Sequence, residues 1–500
     1  MEYLLNSAQM KQYDAETIRR VGIPSLVLME RAALCTAEEI KKSGFDLSSV
    51  LVVCGSGNNG GDGFAIARIL DEWGIQVKLA FVGKDQSMSE ETRVQRNICE
   101  NCGIKTSTNF MEREYTTIVD AIFGIGLSRE VQGHYAEVME WINQQDASVV
   151  AVDIPSGISA DTGKVLGIAV RADLTVTFAY KKVGHVLYPG TEYCGRVVCR
   201  DIGIIGKRIS GNTLPVFTYK DDDLGRIPKR KPYSNKGTYG KVLMIAGSSG
   251  MSGAAYMAAL AAYRMGCGLV RVFTPKCNQP VIQSCLPEAI VTAWDEASFP
   301  KKQLDEAMEW SDVAALGPGF GTGEIQSTIL NYVIRHYEKP FVVDADGLNL
   351  LSKNIELLYD AKAPMVLTPH IGEMKRLTGS TKEEILEDIL LTAKGFAKEY
   401  HVTCVLKDAR SVVSDGARTY INTSGNSGMA VGGCGDVLTG MIAGLLSQGM
   451  SPFDAACAGT YLHGRAGDLA KEKLTEYGML ATDVINHIGE AMKLADRRRL

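Results

Sequence analysis

The sequence predicts an α/β protein with two domains, each built on a mainly parallel, doubly wound β-sheet between layers of helices. Apolar, β-branched runs recur along the 500 residues and alternate with segments of helical periodicity. These runs are continuously apolar, which indicates strands buried on both faces, as in parallel sheets covered by helices. A segment rich in Pro, Lys, Asp and Gly separates two groups of runs. We therefore expect domains at 1–212 and 236–500, joined by a linker at 213–235.

Helix and strand positions follow from the same patterns. A polar helix is predicted from Met10 to Arg20, and a second one from Ser25 to Cys35, because Gly22-Ile23-Pro24 interrupts the helical periodicity. The strands of the N-terminal domain are predicted at 50–54, 76–82, 117–123, 148–153, 174–179 and 196–201. Those of the C-terminal domain are predicted at 241–246, 269–273, 313–317, 340–344, 365–368, 402–407 and 411–414.

Composition and charge exclude several classes of protein. The formal net charge is -5, and no basic block is long enough to follow a nucleic-acid backbone. Arg264 interrupts the longest apolar stretch, at 253–272, so we expect no membrane-spanning helix. The segment from Met1 to Asp14 is polar after Leu5, so we expect no secretory signal. Cys99 and Cys102 have the spacing of a zinc or redox pair, but no second pair accompanies them. We expect a cytoplasmic protein without nucleic-acid or membrane partners.

A glycine-rich turn after the first predicted strand marks a candidate ligand site. Residues 55–63 read Gly-Ser-Gly-Asn-Asn-Gly-Gly-Asp-Gly, and a helix is predicted from Phe64 to Trp73. This is the first crossover of a doubly wound sheet, where ligands bind at the carboxyl ends of the strands. Asn58, Asn59 and Asp62 add amide donors and a carboxylate that a turn does not require. The spacing is not GxGxxG, so an ordinary dehydrogenase is not indicated.

Polar residues at two further strand ends extend this candidate site. Asp120 precedes a second glycine loop at 124–127, and Asp153 and Ser156 follow the strand at 148–153. Oxygen atoms of Asn59, Asp120 and Ser156, with backbone carbonyls, would suit a hard monovalent or divalent cation. Taken singly, each residue is better explained as a turn-forming side chain. Their joint position at consecutive strand ends favours a site.

Three motifs in this half resemble those of the NAD(P)H-hydrate epimerase domain: Gly22–Ser25 with Met29–Ala32, Asn58–Gly63, and Asp153–Gly157. The resemblance covers roughly 1–212 and implies a Rossmann-like three-layer αβα fold. It implies catalysis by Asp153 and a potassium ion (K+) at Asn59, Asp120 and Ser156. It also implies that the hydrated nucleotides NADHX and NADPHX are bound by Asn58, Asn59, Gly60, Gly61, Asp62, Gly124, Ile125, Gly126, Leu127, Ser128, Arg129 and Glu130.

The segment 426–440 is the most informative part of the C-terminal half. It reads Asn-Ser-Gly-Met-Ala-Val-Gly-Gly-Cys-Gly-Asp-Val-Leu-Thr-Gly, and its apolar end predicts a buried helix. Gly432, Gly433 and Gly435 let backbone N–H groups approach a ligand, and a helix start attracts anions. Asp436 would repel a phosphate there. Two explanations remain open: Asp436 is a general base for a substrate hydroxyl, or it caps the helix.

Other strand ends in this half carry polar or glycine-rich clusters, at 247–250, 317–321, 344–349, 368–373 and 407–410. Their common position predicts one cleft along a sheet edge. Glu373 with waters can organise Mg²⁺ and Lys407 can contact phosphate, although singly they are equally a helix-start acid and a surface charge. No GxxxxGK[ST] sequence occurs, so the chain is not a P-loop enzyme.

The C-terminal motifs are similar to those of the ADP/ATP-dependent NAD(P)H-hydrate dehydratase, which has a ribokinase-like αβα fold. They are Gly317–Gly319, Asp344–Asp346, Pro369–Glu373 and Gly428–Leu438. The resemblance spans roughly 222–500 and implies that Asp436 is catalytic. It implies that the hydrate is bound by Gly319, Pro369, His370, Ile371, Gly372, Glu373, Met374 and Lys375. It implies that ADP or ATP, with Mg²⁺, is bound by Lys407, Asp408, Ala409, Arg410, Ser411, Ser427, Gly428, Met429, Ala430, Val431, Gly432, Gly433, Cys434 and Gly435.

The family pattern differs from this chain at four positions of the C-terminal site. The common residues are Pro, Gly, Pro and Thr, where this chain has Ile371, Asp408, Ser427 and Cys434. Cys434 keeps a small side chain but replaces a good hydroxyl donor. Because backbone N–H groups form the anion site, we expect activity to be retained.

Together the resemblances imply a bifunctional enzyme that epimerises the R and S hydrates and dehydrates the S form. One alternative is a small-molecule kinase with a regulatory N-terminal domain, since Asp436 and the anion loop would serve both. Another is an N-terminal domain that acts only as a binding or scaffold module. The residues do not separate ADP from ATP, nor NADHX from NADPHX. We expect a homo-oligomer, with the N-terminal helical pair as a plausible contact.

Overall fold

The computed structural model describes residues 1–107, 109–205 and 215–496. The chain forms two compact units. The N-terminal unit is Tyr3–Leu214, and the C-terminal unit is Pro215–Leu500 with Met1 and Glu2. Within the described ranges, no helix is long and apolar enough to cross a membrane.

The N-terminal unit alternates strands and helices, and a π-helical turn at Thr17–Val21 follows its first helix. Its strands are β1 (Glu2–Leu5), β2 (Val50–Cys54), β3 (Val77–Phe81), β4 (Thr117–Ala121), β5 (Ser148–Val152), β6 (Leu174–Phe178), β7 (Lys181–Lys182) and β8 (Arg196–Arg200). Its helices are α1 (Ser7–Glu16), α2 (Ser25–Lys42), α3 (Asn58–Glu72), α4 (Glu90–Asn101), α5 (His134–Asn143) and α6 (Gly190–Tyr193).

The main sheet of this unit has six strands in the order β3-β2-β4-β5-β6-β8, and every pairing is parallel. Alternate residues of β2 enter two separate cores. Val50 and Val52 pack with residues of α2 and α3, whereas Leu51 and Val53 pack with residues of α5. Since both faces of the sheet are covered, the strands are continuously apolar. The predicted Rossmann-like three-layer αβα fold is confirmed.

Strand order also creates the place where a ligand fits. From β2 the chain crosses to β3 on one side and then to β4 on the other side of β2. The loops after β2 and β4 therefore diverge and leave a crevice at the carboxyl edge, which is the topological switch point of such sheets.

The C-terminal unit contains a longer sheet and more helices. Its strands are β9 (Val216–Thr218), β10 (Lys241–Ile245), β11 (Leu269–Pro275), β12 (Ile290–Trp294), β13 (Val313–Leu316), β14 (Phe341–Val343), β15 (Met365–Leu367), β16 (Thr403–Leu406), β17 (Val412–Ser414) and β18 (Thr419–Ile421). Its helices are α7 (Ser252–Arg264), α8 (Gln279–Cys285), α9 (Lys301–Trp310), α10 (Glu324–His336), α11 (Asp346–Leu351), α12 (Ile371–Thr378), α13 (Lys382–Glu387), α14 (Ile389–Tyr400), α15 (Cys434–Leu446), α16 (Pro452–Leu474) and α17 (Ala481–Asp496).

The sheet of the C-terminal unit runs in the order β12-β11-β10-β13-β14-β15-β16-β17-β18-β9. Strands β10 to β16 pair in parallel, and β17 is antiparallel to both of its neighbours. The carboxyl ends of β13, β14, β15 and β16 consequently share one edge, as predicted for a single cleft. Helix α15 is almost wholly buried, which explains its apolar sequence.

Every strand predicted from sequence overlaps an observed strand. The prediction misses β12 and β18 and the short strands β1, β7 and β9. Strands β7, β9 and β18 have only two or three residues, too few to show a period. Strand β12 is partly exposed, so its sequence is not that of a strand buried on both faces.

Part of the segment predicted as a linker, 213–235, is folded within the C-terminal unit. Strand β9 pairs with β18, and a 3₁₀ turn at Asp221–Arg226 follows it. Tyr219 and Leu224 are buried, and the Tyr219 ring lies 4.8 Å from that of Tyr420. A few aromatic contacts thus anchor a segment whose charged composition indicated a solvated linker. Residues 213 and 214 lie outside the described ranges.

Close packing of α15 against α7 requires glycine at position 440. A Cβ atom on Gly440 would lie 2.0 Å from the carbonyl oxygen of Ala258. We expect Gly440→Ala to lower the free energy of unfolding by roughly 1–3 kcal/mol, because the helices must separate. Gly489 in α17 is the matched control, since its Cβ would meet open space. Gly489→Ala should raise that free energy by roughly 0.5–1 kcal/mol. Urea titrations measure both, and equal shifts would contradict this packing.

Candidate active sites

The N-terminal unit has a cleft of about 1160 Å³ at the carboxyl ends of β2, β4 and β5. The glycine turn after β2 and the loop after β4 form two of its walls. Most of the residues predicted to bind the hydrate line it, namely Asn58, Asn59, Asp62, Gly124, Ile125, Gly126, Leu127, Ser128, Arg129 and Glu130, and so does Asp153.

Gly60 and Gly61 do not line the cleft. Helix α3 begins at Asn58, six residues before the predicted start at Phe64, so both glycines lie in its first turns. A Cβ atom on Gly60 would lie 1.9 Å from the Gly55 carbonyl oxygen, and one on Gly61 would lie 2.6 Å from Met29 Cε. These glycines let α3 pack closely on its neighbours. The cap residue of α3 gives no side-chain hydrogen bond, which leaves the helix start open to an anion.

Asp153 lies directly after β5, where it forms an ion pair with Lys182. Lys182 Nζ donates to Asp153 Oδ1 at 2.5 Å and to Thr177 Oγ1 at 2.8 Å, and only 1% of the lysine residue is exposed. Thr177 Oγ1 also donates to Asp153 Oδ1, at 2.9 Å. Burial alone would raise the pKa of Asp153, but the Lys182 ammonium outweighs it, so the pKa is lowered. Asp153 is therefore ionised at neutral pH.

His185 holds the backbone of both members of this pair. Its Nδ1 accepts a hydrogen bond from the Lys182 N–H at 2.9 Å, and its Nε2 lies 2.8 Å from the Asp153 carbonyl oxygen. Nε2 therefore carries the proton and donates to that carbonyl. Burial, followed by the Lys182 charge, lowers the pKa of His185 to about 3, so the ring stays neutral. Asp153 itself has φ 67°, a left-handed conformation that this contact supports.

Asp62 has the opposite ionisation preference in the same cleft. Burial raises its pKa well above the ordinary value, and the negative charges of Asp153 and Asp14 raise it further. The cleft thus contains two carboxyl groups whose pKa values are shifted in opposite directions, that of Asp153 downwards and that of Asp62 upwards. Two carboxyl groups with separated pKa values can act as a base and an acid in one reaction.

Of the three residues predicted to bind a cation, Asn59 lines the cleft, whereas Asp120 and Ser156 are buried and do not line it. Asp120 Oδ1 accepts from Ser156 Oγ at 2.6 Å, and Asp120 Oδ2 accepts from the Ser156 N–H at 2.8 Å. Burial raises the pKa of Asp120 to about 6, although the Ser156 hydrogen bonds lower it. Asn59 is 9% exposed, and its buried Nδ2 has no hydrogen-bond partner within the described part of the chain. No cluster of three or more His, Cys, Asp or Glu side chains suited to a metal occurs among the described residues.

In the C-terminal unit, Lys407 connects three strand ends. Its Nζ donates to Asp344 Oδ1 at 2.8 Å and lies 3.9 Å from Glu373 Oε2. Asp344 is 1% exposed, and its Oδ2 accepts from Thr439 Oγ1 at 2.7 Å. Burial would lower the pKa of Lys407, but Asp344 and Glu373 outweigh it, so the pKa is raised and the ammonium persists. The polar residues that follow β14, β15 and β16 therefore lie close together, as predicted.

Asp436 is the third residue of α15, and the helix cap is Gly433 with φ 95°. The structure thus contradicts the explanation of Asp436 as the cap. A Cβ atom on Gly435 would lie 3.4 Å from Lys407 Nζ, so the glycine loop lies directly beside the lysine. Burial and the Asp344 charge raise the pKa of Asp436 to about 7, against the lowering effect of Lys407. That value suits a general base near neutral pH.

Glu373 and His370 form the cap of α12. The His370 N–H donates to Glu373 Oε2 at 2.8 Å, and His370 Nδ1 accepts from the Gly372 N–H at 2.9 Å. Burial raises the pKa of Glu373 to about 7, in spite of Lys407. The structure therefore supports both proposed positions of Glu373, as a helix-start acid and as a carboxyl group at the cleft.

The remaining predicted residues occupy the loops around this core. Gly319 has φ 56° in the turn after β13, which a side chain would strain. Asp408 and Ala409 are exposed in the loop after β16. Cys434 is buried, and burial raises the pKa of its thiol to about 11, so it is not a nucleophile. Arg410 and Ser411 lie in the same loop after β16, Pro369 lies between β15 and α12, and Ile371, Met374 and Lys375 lie in α12. The loop between β18 and α15 contains the others, Ser427, Gly428, Met429, Ala430, Val431 and Gly432.

Sequence reasoning missed several residues that the structure places at these sites. Lys182 is the last residue of β7, His185 follows β7, and Thr439 lies in the second turn of α15. A strict search of every strand end would have found Lys182, because the polar pair at 181–182 follows the strand predicted at 174–179. Nothing in the spacing marks Thr439, which meets Asp344 only through the fold.

Comparisons with known proteins agree with this geometry. Residues 242–490 match the family model described as NAD(P)H-hydrate dehydratase, and residues 25–184 match that described as YjeF-related protein N-terminus. The bifunctional NAD(P)H-hydrate repair enzyme Nnr of Moorella thermoacetica is 37% identical over 97% of this chain and 96% of the relative. That of Escherichia coli is 36% identical over 95% of this chain and 91% of the relative.

Solved structures also match the C-terminal unit. An ADP/ATP-dependent NAD(P)H-hydrate dehydratase of Bacillus subtilis, co-crystallised with ATP/Mg²⁺, matches 56% of this chain and 99% of its own, with 30% identity and a TM-score of 0.50. A ribokinase-like superfamily protein of Enterococcus faecalis matches 57% of this chain and 98% of its own, with 30% identity and a TM-score of 0.51. The predicted ribokinase-like fold is confirmed. The chain belongs to the family of bifunctional NAD(P)H-hydrate repair enzymes.

Proposed function

We propose that this chain repairs hydrated nicotinamide nucleotides. The N-terminal unit interconverts the R and S forms of NADHX and NADPHX, and the C-terminal unit dehydrates the S form with ADP or ATP. The observation that carries the proposal is the neutral-range carboxylate Asp436 beside Lys407 and a glycine-rich helix start, in a chain of this family.

In the epimerase site, the bond between C6 and oxygen, or between C6 and the ring nitrogen, breaks and reforms on the other face. Asp153 accepts the proton from the hydroxyl or the incoming water. Asp62 donates its proton to the departing oxygen or to the ring nitrogen. The separated pKa values of the two groups, which face one cleft, support these roles. The open start of α3 supports binding of the diphosphate near Asn58.

In the dehydratase site, Asp436 accepts the proton of the C6 hydroxyl, and the oxygen of that hydroxyl attacks the terminal phosphoryl group of the nucleotide. The phosphate is a better leaving group than hydroxide. The lone pair of the ring nitrogen then expels it, and loss of a proton from C5 restores the reduced ring. Lys407 and the N–H groups of Gly432, Gly433 and Gly435 bind the phosphate oxygens, a role supported by the closeness of Gly435 to Lys407 Nζ. Bound Mg²⁺ would neutralise phosphate charge, and Glu373 could hold it through water.

We further propose that K⁺ binds at Asn59, Asp120 and Ser156. Asp120 is fully buried, and hydrogen bonds from Ser156 and Ile122 are the contacts that favour its charged form. Burial of a carboxylate is costly without a cation, and oxygen ligands of this kind suit K⁺. A bound K⁺ would neutralise Asp120 and fix the loops after β2, β4 and β5.

The rival function is a kinase that releases a stable phosphorylated product. Incubation of the S hydrate with ADP or ATP should restore the absorbance of the reduced nicotinamide, with a rate that rises with pH and levels off above about 7 as Asp436 loses its proton. Asp436→Asn should lower turnover by on the order of 10²–10⁴-fold but retain nucleotide binding. Asp360→Asn, at an exposed position that precedes β15 and so lies away from the carboxyl ends of the strands, is the matched control. Accumulation of a phosphorylated hydrate would support the kinase.

The role of Asp153 as a base depends on Lys182. In Lys182→Met the burial of Asp153 is no longer offset, so its pKa should rise. The rate of R-to-S conversion should then fall at neutral pH and recover as pH rises, each unit of pKa shift costing roughly tenfold at a given acidic pH. Lys181→Met is the control, since Lys181 does not line the cleft. A uniform loss without displacement of the acidic limb would refute the base role.

Potassium binding is testable without activity. Replacing sodium by potassium salts at constant ionic strength should raise the unfolding temperature of the wild-type chain, since K⁺ binds only the folded state. Asp120→Asn should abolish that rise, whereas Asp14→Asn, at a different wall of the cleft, should retain it. Equal unfolding temperatures in both salts would exclude this site.

A further inference from the structure

Strand order gives the epimerase cleft two distinct ends. In doubly wound folds a dinucleotide lies across the switch point, and the residue after the second strand contacts the ribose next to adenine. Here the first strand is β2 and the second is β3, whereas Asp153 follows β5 on the other side. By the same arrangement, a hydrated ring at Asp153 would put the adenosine half over the end of β3.

Lys84 stands at that end. It follows β3 by three residues, is exposed, and lines the cleft together with Ser56 and Ser87. The Lys84 N–H donates to Ser56 Oγ at 2.8 Å, and its carbonyl accepts from Ser56 Oγ at 3.3 Å and from the Ser87 N–H at 3.0 Å. The backbone of Lys84 is thereby tied to the glycine turn that receives the diphosphate.

The carboxylate next to Lys84 is that of Asp85, and it is paired with another side chain. Folds that select the unphosphorylated dinucleotide place an acidic side chain after the second strand, where it accepts from the ribose 2′-hydroxyl. Asp85 occupies this region, but it forms an ion pair with Arg96 Nη1 at 2.5 Å and does not line the cleft. Of the two charged residues Lys84 and Asp85 after β3, Lys84 is therefore the one that lines the cleft.

We infer that Lys84 binds the 2′-phosphate of NADPHX and makes this cleft select the phosphorylated hydrate over NADHX. The inference rests on the proposed epimerase function and names its preferred substrate. An ammonium is matched to a phosphate monoester and has no equivalent interaction with a 2′-hydroxyl.

Epimerisation of separated R-NADPHX and R-NADHX by the full chain tests this. In Lys84→Met the ratio of the two kcat/KM values, NADPHX over NADHX, should fall roughly tenfold, since one charge-assisted contact is lost. Lys105→Met removes an exposed lysine outside the cleft and should leave the ratio unchanged. An unchanged ratio in Lys84→Met overturns the inference.

A binding measurement separates this inference from the proposed function. By calorimetry, adenosine 2′,5′-bisphosphate should bind the wild-type chain more tightly than 5′-AMP, and Lys84→Met should lose roughly tenfold of that advantage. Lys105→Met should keep it. If Lys84→Met loses the binding advantage but the wild-type chain epimerises neither hydrate, the role of Lys84 is supported and the epimerase function is refuted. Retention of the advantage in Lys84→Met would overturn the role of Lys84.

Discussion

An ion pair between a lysine and a buried strand-end aspartate is the interaction on which each site depends. Lys182 pairs with Asp153 in the N-terminal unit, and Lys407 pairs with Asp344 in the C-terminal unit. A buried charge is tolerated only when it is paired and hydrogen-bonded, so each lysine fixes the carboxylate beside it. The lysine charge also opposes the effect of burial on neighbouring acids, and it thereby decides which carboxyl group is a base at neutral pH.

Two parallel sheets explain why such pairs form at all. Parallel strands direct their carboxyl ends to one edge, where loops from distant parts of the sequence meet. Asp344 and Thr439 are far apart in sequence, yet their side chains are 2.7 Å apart. Since hydration produces both C6 epimers, and one chiral pocket fits only one of them, an epimerase and a dehydratase in one chain are chemically complementary.

Much of this arrangement is predictable from the sequence, and the failures have physical causes. Continuous apolar runs reveal the parallel strands, and the glycine loops before α3 and α15 reveal the sites. Gly60 and Gly61 are predicted to bind the hydrate but do not line the cleft, because sequence does not distinguish a glycine that admits a ligand from one that admits another part of the protein. Lys182 and Thr439 were missed, because their importance lies in contacts between elements that only the folded chain brings together. Asp436 was ambiguous until its position in α15 excluded a capping role.

The most direct test of this account is the titration of the Asp436 carboxyl group by carbon-13 NMR in selectively labelled protein. The wild-type pKa should be about 7. Lys407→Met should raise it, because a neighbouring positive charge is lost, and Asp344→Asn should lower it, because a neighbouring negative charge is lost. Opposite shifts in the two variants, with unfolding temperatures near that of the wild type, would establish that the buried ion pair controls the base. An Asp436 pKa that stays at its ordinary value, or that ignores both substitutions, would contradict it.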